Sequence, residues 1–159
     1  MKLKIVMFVV IAFSLGACGG STDTASSSSS DDAAPNVSLT SSSSSISESS
    51  SSSITLTATL SQIADEAVTV SFSTSGTAAS GTDYSSISSI TIAAGSTTGT
   101  TSFTPIDDSI FEGDEVTTVA IASVSGGSAT ESGTQSVSIT ITGDDASLSF
   151  PANIELISD

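Results

Sequence analysis

Basic side chains are almost missing from this sequence. Its two cations are Lys2 and Lys4, at the very start of the chain, and it contains no histidine. The 17 Asp and Glu residues give a formal net charge of −15, and no Lys or Arg follows Lys4 to neutralise them. Because proteins bind nucleic acid largely by neutralising its phosphates with Lys and Arg, this composition excludes a nucleic-acid partner.

The usual catalytic bases are missing as well. Serines are plentiful, but no His can activate one as a nucleophile, and no Arg can stabilise an oxyanion. A pair of carboxylates could perform glycosidase chemistry. However, the chain has no Trp and a single Tyr, so we see no aromatic-lined groove for a sugar. We therefore expect that the protein is not an enzyme.

The first 17 residues have the pattern of a secretion signal. A start with Lys2 and Lys4 precedes an apolar stretch over residues 5–15, which is shorter than the roughly 20 residues that span a bilayer. Leu15-Gly16-Ala17-Cys18 resembles the lipobox of bacterial lipoproteins, which implies lipidation of Cys18. Cys18 is the only cysteine, so no internal disulfide is expected. The resemblance implies a lipid-anchored protein of the cell envelope, at the outer membrane of a Gram-negative bacterium.

The rest of the chain divides by composition. Residues 18–36 are rich in Gly, Ser and Ala, which predicts a disordered tether. Residues 37–145 carry regular patterning and are the predicted folded domain. In residues 146–159 the pattern that opens the domain recurs, and two interpretations stay open: a tail, or the truncated start of a second module.

Alternation of apolar with Ser or Thr residues predicts seven strands in the domain. It is typical of sheets with one face on a core, and short strands at this spacing favour an antiparallel β-sandwich. Two Ser runs flank Ile46-Ser47-Glu48, which we expect to be a loose strand and loop. The apolar positions that mark the strands are Val37 and Leu39; Ile54, Leu56, Ala58 and Leu60; Val68, Val70 and Phe72; Ile90 and Ile92; Phe103; Val119 and Ile121; and Val137, Ile139 and Ile141.

The acids of the domain sort unevenly between the two ends of such a sandwich. Because each strand carries the chain from one end to the other, alternate connections share an end. One end receives nine acids, namely Glu48, Asp83, Asp107, Asp108, Glu112, Asp114, Glu115, Asp144 and Asp145. The opposite end receives three: Asp65 and Glu66, which we expect in an exposed hairpin turn, and Glu131, which we expect to be solvated in a Gly/Ser loop.

This gathering of acids predicts an ion site. Two carboxylates 4 Å apart repel by about 4 kcal/mol at an effective dielectric constant near 20, and no protein cation relieves that repulsion. Ca²⁺ is the natural counter-ion, since it is a hard cation that prefers oxygen ligands. Solubility or adaptation to salt could also explain an acidic chain. Both would spread acids over the exposed strand faces, where this sequence carries Ser and Thr.

Several segments resemble Calx-beta domains, the calcium-binding modules of sodium/calcium exchangers and of many surface proteins. The strongest match is the run Ile106-Asp107-Asp108-Ser109-Ile110-Phe111-Glu112-Gly113-Asp114-Glu115. Gly81-Thr82-Asp83-Tyr84 and Ile139-Thr140-Ile141-Thr142-Gly143-Asp144-Asp145 also fit the family. The resemblance implies a seven-stranded immunoglobulin-like antiparallel sandwich that binds calcium at one tip.

Carried over position by position, the resemblance implies a set of metal ligands. They are Glu48, Asp83, Asp107, Asp108, the Ile110 carbonyl, Glu112, Glu115, Asp144 and Asp145. Asp114 matches a family acid that is less clearly a ligand. Three further side chains have structural interpretations. Asp83 could cap its own turn, Tyr84 is expected to be a core residue rather than a ligand, and Phe111 is expected to anchor its loop on the core.

The sequence therefore predicts a calcium-binding module on a lipid-anchored surface protein. Calcium would neutralise and stiffen the acidic tip, for adhesion or cell-surface interaction with a surface protein or a polysaccharide. A passive stalk in which the metal has no physiological role is the alternative that the residues leave open.

Overall fold

The computed structural model describes residues 33–146 of the chain. The predicted signal peptide, Cys18, most of the predicted tether and almost all of the C-terminal tail lie outside the described residues. Within residues 33–146 the structure is all-β. No helix in that range has the length and apolar character that a bilayer-spanning helix requires.

Nine strands form two sheets within the described part of the chain. The strands are β1 (Asn36–Ser41), β2 (Ser45–Ser47), β3 (Ile54–Leu60), β4 (Val68–Gly76), β5 (Ile90–Ile92), β6 (Thr98–Phe103), β7 (Glu115–Ser125), β8 (Thr130–Glu131) and β9 (Ser136–Thr142). One sheet has the order β6-β3-β1-β8 and the other the order β2-β9-β7-β4-β5. The β1–β8 and β2–β9 pairs are parallel, and the remaining pairs are antiparallel.

The predicted sandwich is confirmed, with nine strands rather than seven. The two additional strands are β2 and β8, with three and two residues. Neither strand is long enough to show alternation. β2 pairs with the longer strand β9, and β8 pairs with the longer strand β1. The loose strand expected around Ile46 is β2.

The core lies between the sheets and consists mainly of the predicted inward-facing positions. Two aromatic rings from different segments meet in it: Tyr84 and Phe103 stack with centroids 4.8 Å apart and an interplanar angle of 28°. Both are fully buried, so the prediction that Tyr84 is a core residue is confirmed. The aliphatic part of the core comprises Val37, Leu39, Ile54, Leu56, Ala58, Leu60, Ala64, Val68, Val70, Ala78, Ile90, Ile92, Val119, Ile121, Ala129, Ile139 and Ile141.

Gly76 lets the chain leave β4 close against the start of β7. Its φ of 139° is a conformation that L side chains rarely adopt, and a Cβ there would overlap the Val116 carbonyl oxygen. That carbonyl accepts hydrogen bonds from the amides of Thr77 at 2.9 Å and Ala78 at 3.2 Å. The glycine thus fixes the root of the loop that leads to Asp83.

We expect Gly76→Ala to lower the free energy of unfolding by about 1–3 kcal/mol, because the methyl group would force the β4 and β7 backbones apart. Chemical denaturation measures the loss. Gly133→Ala is the matched control, since Gly133 also has a positive φ, of 66°, but open space around its Cβ position. Equal losses in the two variants would contradict the close-approach explanation.

Candidate metal centre

The short strand β2 places Glu48 at the end of β9. Its parallel pairing sets Ser47 opposite Thr142, and the Glu48 amide donates a hydrogen bond to the Thr142 carbonyl at 3.0 Å. Glu48 is only 6 % exposed, which is unusual for a carboxylate. The backbone register therefore delivers a buried acid from a Ser-rich segment to the point where Asp144 and Asp145 leave the sheet.

Asp83 is held by the core residue that follows it. The Thr117 hydroxyl donates a hydrogen bond to the Tyr84 hydroxyl oxygen at 3.4 Å, deep in the core. The Asp83 carbonyl accepts the Ile106 amide at 2.9 Å, which ties this loop to the segment after β6. Stacking, burial and these bonds leave the Asp83 side chain little freedom, and it is 7 % exposed.

The capping interpretation of Asp83 is also correct. Its Oδ2 accepts a hydrogen bond from the Ala79 amide at 2.5 Å, and its own amide donates to the Ala79 carbonyl at 3.0 Å. The side chain thus closes its own turn and still takes part in the acidic cluster described below.

The segment between β6 and β7, together with the first residue of β7, supplies three more acids of the groups described below, namely Asp108, Glu112 and Glu115. Asp108 Oδ1 accepts the Ile110 amide at 2.7 Å, which forms a tight turn within the loop. Gly113 has a φ of 79°, and a Cβ on Gly143 would lie 3.0 Å from the Gly113 carbonyl oxygen. The absence of a side chain at position 143 thus lets the chain after β9 approach this loop.

Six carboxylates from four segments meet in two groups of three. Within each group, one carboxylate oxygen per residue lies within 4.8 Å of the others. Each group contains one buried, one half-buried and one exposed acid. The first group is Glu48, Asp108 and Asp145, and the second is Asp83, Glu112 and Glu115.

The other predicted ligands lie outside these two groups. Asp107 and Asp144 are exposed, and their charges act on Asp145, so both are neighbours of the first group. Ile110 belongs to the same loop as Asp108, and its amide donates to Asp108 Oδ1 at 2.7 Å; its role as a carbonyl ligand stays a prediction. Asp114, which the family pattern left in doubt, is exposed and also outside the groups.

Two expectations about residues that are not predicted ligands were wrong. Phe111 is 57 % exposed and does not anchor its loop on the core, where the Tyr84–Phe103 stack already provides the aromatic packing. Glu131, expected to be a solvated loop residue, is half-buried in β8, and its Oε1 accepts the Gln135 amide at 2.5 Å. Asp65 and Glu66 are exposed, as expected for a turn at the opposite end.

Loss of solvent, together with crowding by other carboxylates, raises the pKa of several of these acids. Loss of solvent, a hydrogen bond with Asp83 and the charges around it raise the pKa of Glu115 from 4.5 to about 7. Loss of solvent, followed by the charge of Asp83, raises the pKa of Glu112. Desolvation is also the largest cause of the raised pKa of Glu48, which the Asp108 backbone amide partly opposes.

Asp145 shows most directly that the cluster lacks a positive partner. Loss of solvent and the charge of Asp144 raise its pKa. Among the side-chain atoms of residues 33–146, Asp145 Oδ2 is the one buried polar atom without a hydrogen-bond partner. A buried carboxylate oxygen without a donor is costly, and a bound cation would satisfy it. The donors are all oxygens, so the residues present fit a hard divalent cation such as Ca²⁺.

The raised pKa values predict that the metal-free protein becomes less stable as pH rises. Between pH 4.5 and about 7, Glu115 holds a proton in the folded state that it has lost in the unfolded state, and the raised pKa values of the other acids act in the same direction. The stability that those protons supply is fully present below pH 4.5 and is lost through pH 7. We expect a higher melting temperature at pH 5 than at pH 8, measured on metal-free protein by circular dichroism.

Glu115→Gln should flatten this pH profile and raise the melting temperature at pH 8, because it removes the acid with the pKa of about 7. Glu66→Gln is the control, since Glu66 is an exposed acid at the other end of the sandwich. A profile unchanged by Glu115→Gln would show that proton uptake occurs elsewhere.

Comparisons with known proteins agree with this architecture. The chain resembles the crystal structure of the apo form of the Calx CBD1 domain, with a TM-score of 0.55 and 19 % identity, covering 69 % of this chain and 99 % of that one. It also resembles CBD12 from CALX1.2, with a TM-score of 0.54 and 20 % identity over 68 % of this chain. A third match is the calcium binding domain CBD12 of CALX1.1, with a TM-score of 0.53 and 21 % identity over 64 % of this chain.

At these identities the structural matches show the fold alone. The chain spans 44 % and 41 % of the two CBD12 structures. No curated protein sequence matches it.

The family assignment comes from the amino-acid sequence. The family model of the Calx-beta domain matches residues 30–146, a range that includes both sheets and both groups of acids. The protein therefore belongs to the Calx-beta domain family, a family of calcium-binding modules.

Proposed function

We propose that this domain binds Ca²⁺ at the tip formed by the two groups of acids. The observation that carries the proposal is the convergence of six carboxylates from four separate segments, in a chain with no Lys or Arg after Lys4. Glu48, Asp108 and Asp145 would hold one ion, and Asp83, Glu112 and Glu115 a second. Asp107 and Asp144 flank the first group, so their carboxylates could join it or hold a further ion.

The chemistry of the donors favours calcium over other metals. No His or Cys is present in residues 33–146, so the soft and borderline ligands that zinc and copper prefer are missing. Mg²⁺ requires near-ideal octahedral geometry and keeps several waters, whereas Ca²⁺ accepts six to eight oxygens in flexible geometry. Irregular loops with clustered carboxylates, as between β6 and β7, suit the more tolerant ion.

Calcium would act on the domain by removing repulsion between its connections. Both groups include an acid from the β6–β7 segment. Ions bound at the two groups would therefore link this segment to Glu48 after β2, to Asp83 and to Asp145 after β9. The bound state would be stiffer, because four segments would then share ligands instead of repelling each other.

The cellular setting that we propose comes from the sequence outside the described residues. The lipobox-like segment ending at Cys18 supports a lipid anchor at the cell envelope, with the Ser-rich tether as a flexible link between the anchor and the domain. Adhesion, or another interaction with a surface protein or a polysaccharide, is the role that such a stiffened module would serve. The Calx-beta domain is a binding domain, and our proposal includes no catalytic step.

We expect calcium to raise the melting temperature of the protein by on the order of 10 °C. A ligand at 100 times its dissociation constant stabilises a single site by about 2.7 kcal/mol. One kcal/mol shifts the melting temperature of a domain of this size by about 4–8 °C. Chelation should reverse the rise, and isothermal titration calorimetry should show the binding directly.

The two groups can be tested separately with paired variants. Asp108→Asn with Asp145→Asn should remove the first ion, and Asp83→Asn with Glu115→Gln the second, each reducing the rise while leaving the protein folded. Asp65→Asn with Glu66→Gln removes the same charge at the opposite end and should leave the rise intact. If both site pairs keep the full rise, the assignment of ligands is wrong; if the wild type shows no binding at millimolar calcium, the passive stalk is correct.

A further inference from the structure

The end of the sandwich that carries the acids also carries most of the large exposed apolar side chains in the described part of the chain. Four large apolar side chains are exposed in residues 33–146: Ile63, Ile110, Phe111 and Val116. Ile110 and Phe111 are 60 % and 57 % exposed and adjacent in the β6–β7 loop, and Val116 lies at the start of β7. Single exposed apolar residues are ordinary, but an adjacent pair beside a functional site marks an interaction surface.

The loop presents this pair between acids of the two groups. Asp108, of the first group, accepts the Ile110 amide at 2.7 Å, and Glu112, of the second, directly follows Phe111. In the metal-free protein any apolar partner of Phe111 would also desolvate these two carboxylates, which is costly. Calcium bound to both groups would remove that cost. The apolar pair thus becomes available for burial when the metal is bound.

Metal bound at these groups would also be accessible to a partner. Each group offers three carboxylates, which supply three oxygens if monodentate and six if bidentate, whereas Ca²⁺ takes six to eight. Asp108 and Glu112 are exposed, so an ion held by them would be open to solvent and could accept an oxygen from a binding partner. The matching partner combines an oxyanion with an apolar phase a few ångströms away, which is the structure of a phospholipid surface.

We propose that the β6–β7 loop docks on a phospholipid bilayer when calcium is bound. Lipid phosphate oxygens complete the calcium shell, and Ile110 and Phe111 enter the boundary between headgroups and acyl chains. Two inserted apolar side chains are too few for permanent anchoring, so the attachment is reversible. The described domain has no Lys or Arg for direct contact with lipid phosphate, and docking is therefore strictly calcium-dependent. This inference rests on the proposed function, since it requires calcium at the tip.

The absence of Trp from the chain makes docking directly measurable. Phe111→Trp introduces a single indole at the loop, and Ile63→Trp places one at the opposite end, at a position 59 % exposed. With vesicles of equal parts phosphatidylcholine and phosphatidylglycerol, we expect the emission of the Phe111→Trp protein to shift to shorter wavelength only when calcium is added. Chelator should reverse the shift, and the Ile63→Trp protein should show none.

Co-sedimentation with the same vesicles separates docking from calcium binding. Ile110→Ser with Phe111→Ser should abolish sedimentation with vesicles while keeping the calcium-induced rise in melting temperature, and Ile63→Ser should change neither. A wild-type protein that binds calcium but does not sediment would overturn the docking proposal and leave the proposed function standing. A wild type without any calcium response would refute both. Calcium-dependent self-association that requires Phe111, without vesicle binding, would instead assign the loop to a contact between copies.

Discussion

Electrostatic repulsion among carboxylates at one end of the sandwich is the constraint on which the rest of this molecule depends. Six acids are brought together by backbone pairing and packing, and no positive side chain in the described domain opposes them. The cost appears as the raised pKa values and as the buried Asp145 oxygen without a partner. The fold tolerates this because the hydrophobic core between the sheets contains no charged side chain. Stability and ion binding are therefore assigned to different parts of one small domain.

The acids are positioned by uncharged neighbours. Glu48 depends on the β2–β9 pairing, Asp83 on the burial of Tyr84, and Asp145 on the close approach of Gly143 to the loop before β7. These supports are backbone hydrogen bonds, aromatic packing and a missing side chain, which do not change with ionic conditions. The scaffold can thus hold its ligands close together before any ion arrives.

Much of this arrangement could be predicted from the sequence because alternation and charge are strong signals. Seven strands and the shared end of the acids follow from counting residues. The short strands β2 and β8 could not be found this way, since three or two residues carry no periodicity. The exposure of Phe111 could not be predicted either, because whether a loop aromatic turns inward depends on the space left in the core, which no local pattern reveals. The assignment of individual acids as metal ligands remains a prediction.

Tyr84 has a further consequence for how this protein can be observed. It is the only tyrosine, and the chain has no tryptophan, so intrinsic ultraviolet fluorescence arises from a single phenol. That phenol is 1 % exposed, its hydroxyl contacts Thr117, and its neighbour in the chain is Asp83 of the second group. The wild-type protein therefore carries one intrinsic fluorescent probe, a buried core residue that directly follows an acid of the second group in the chain.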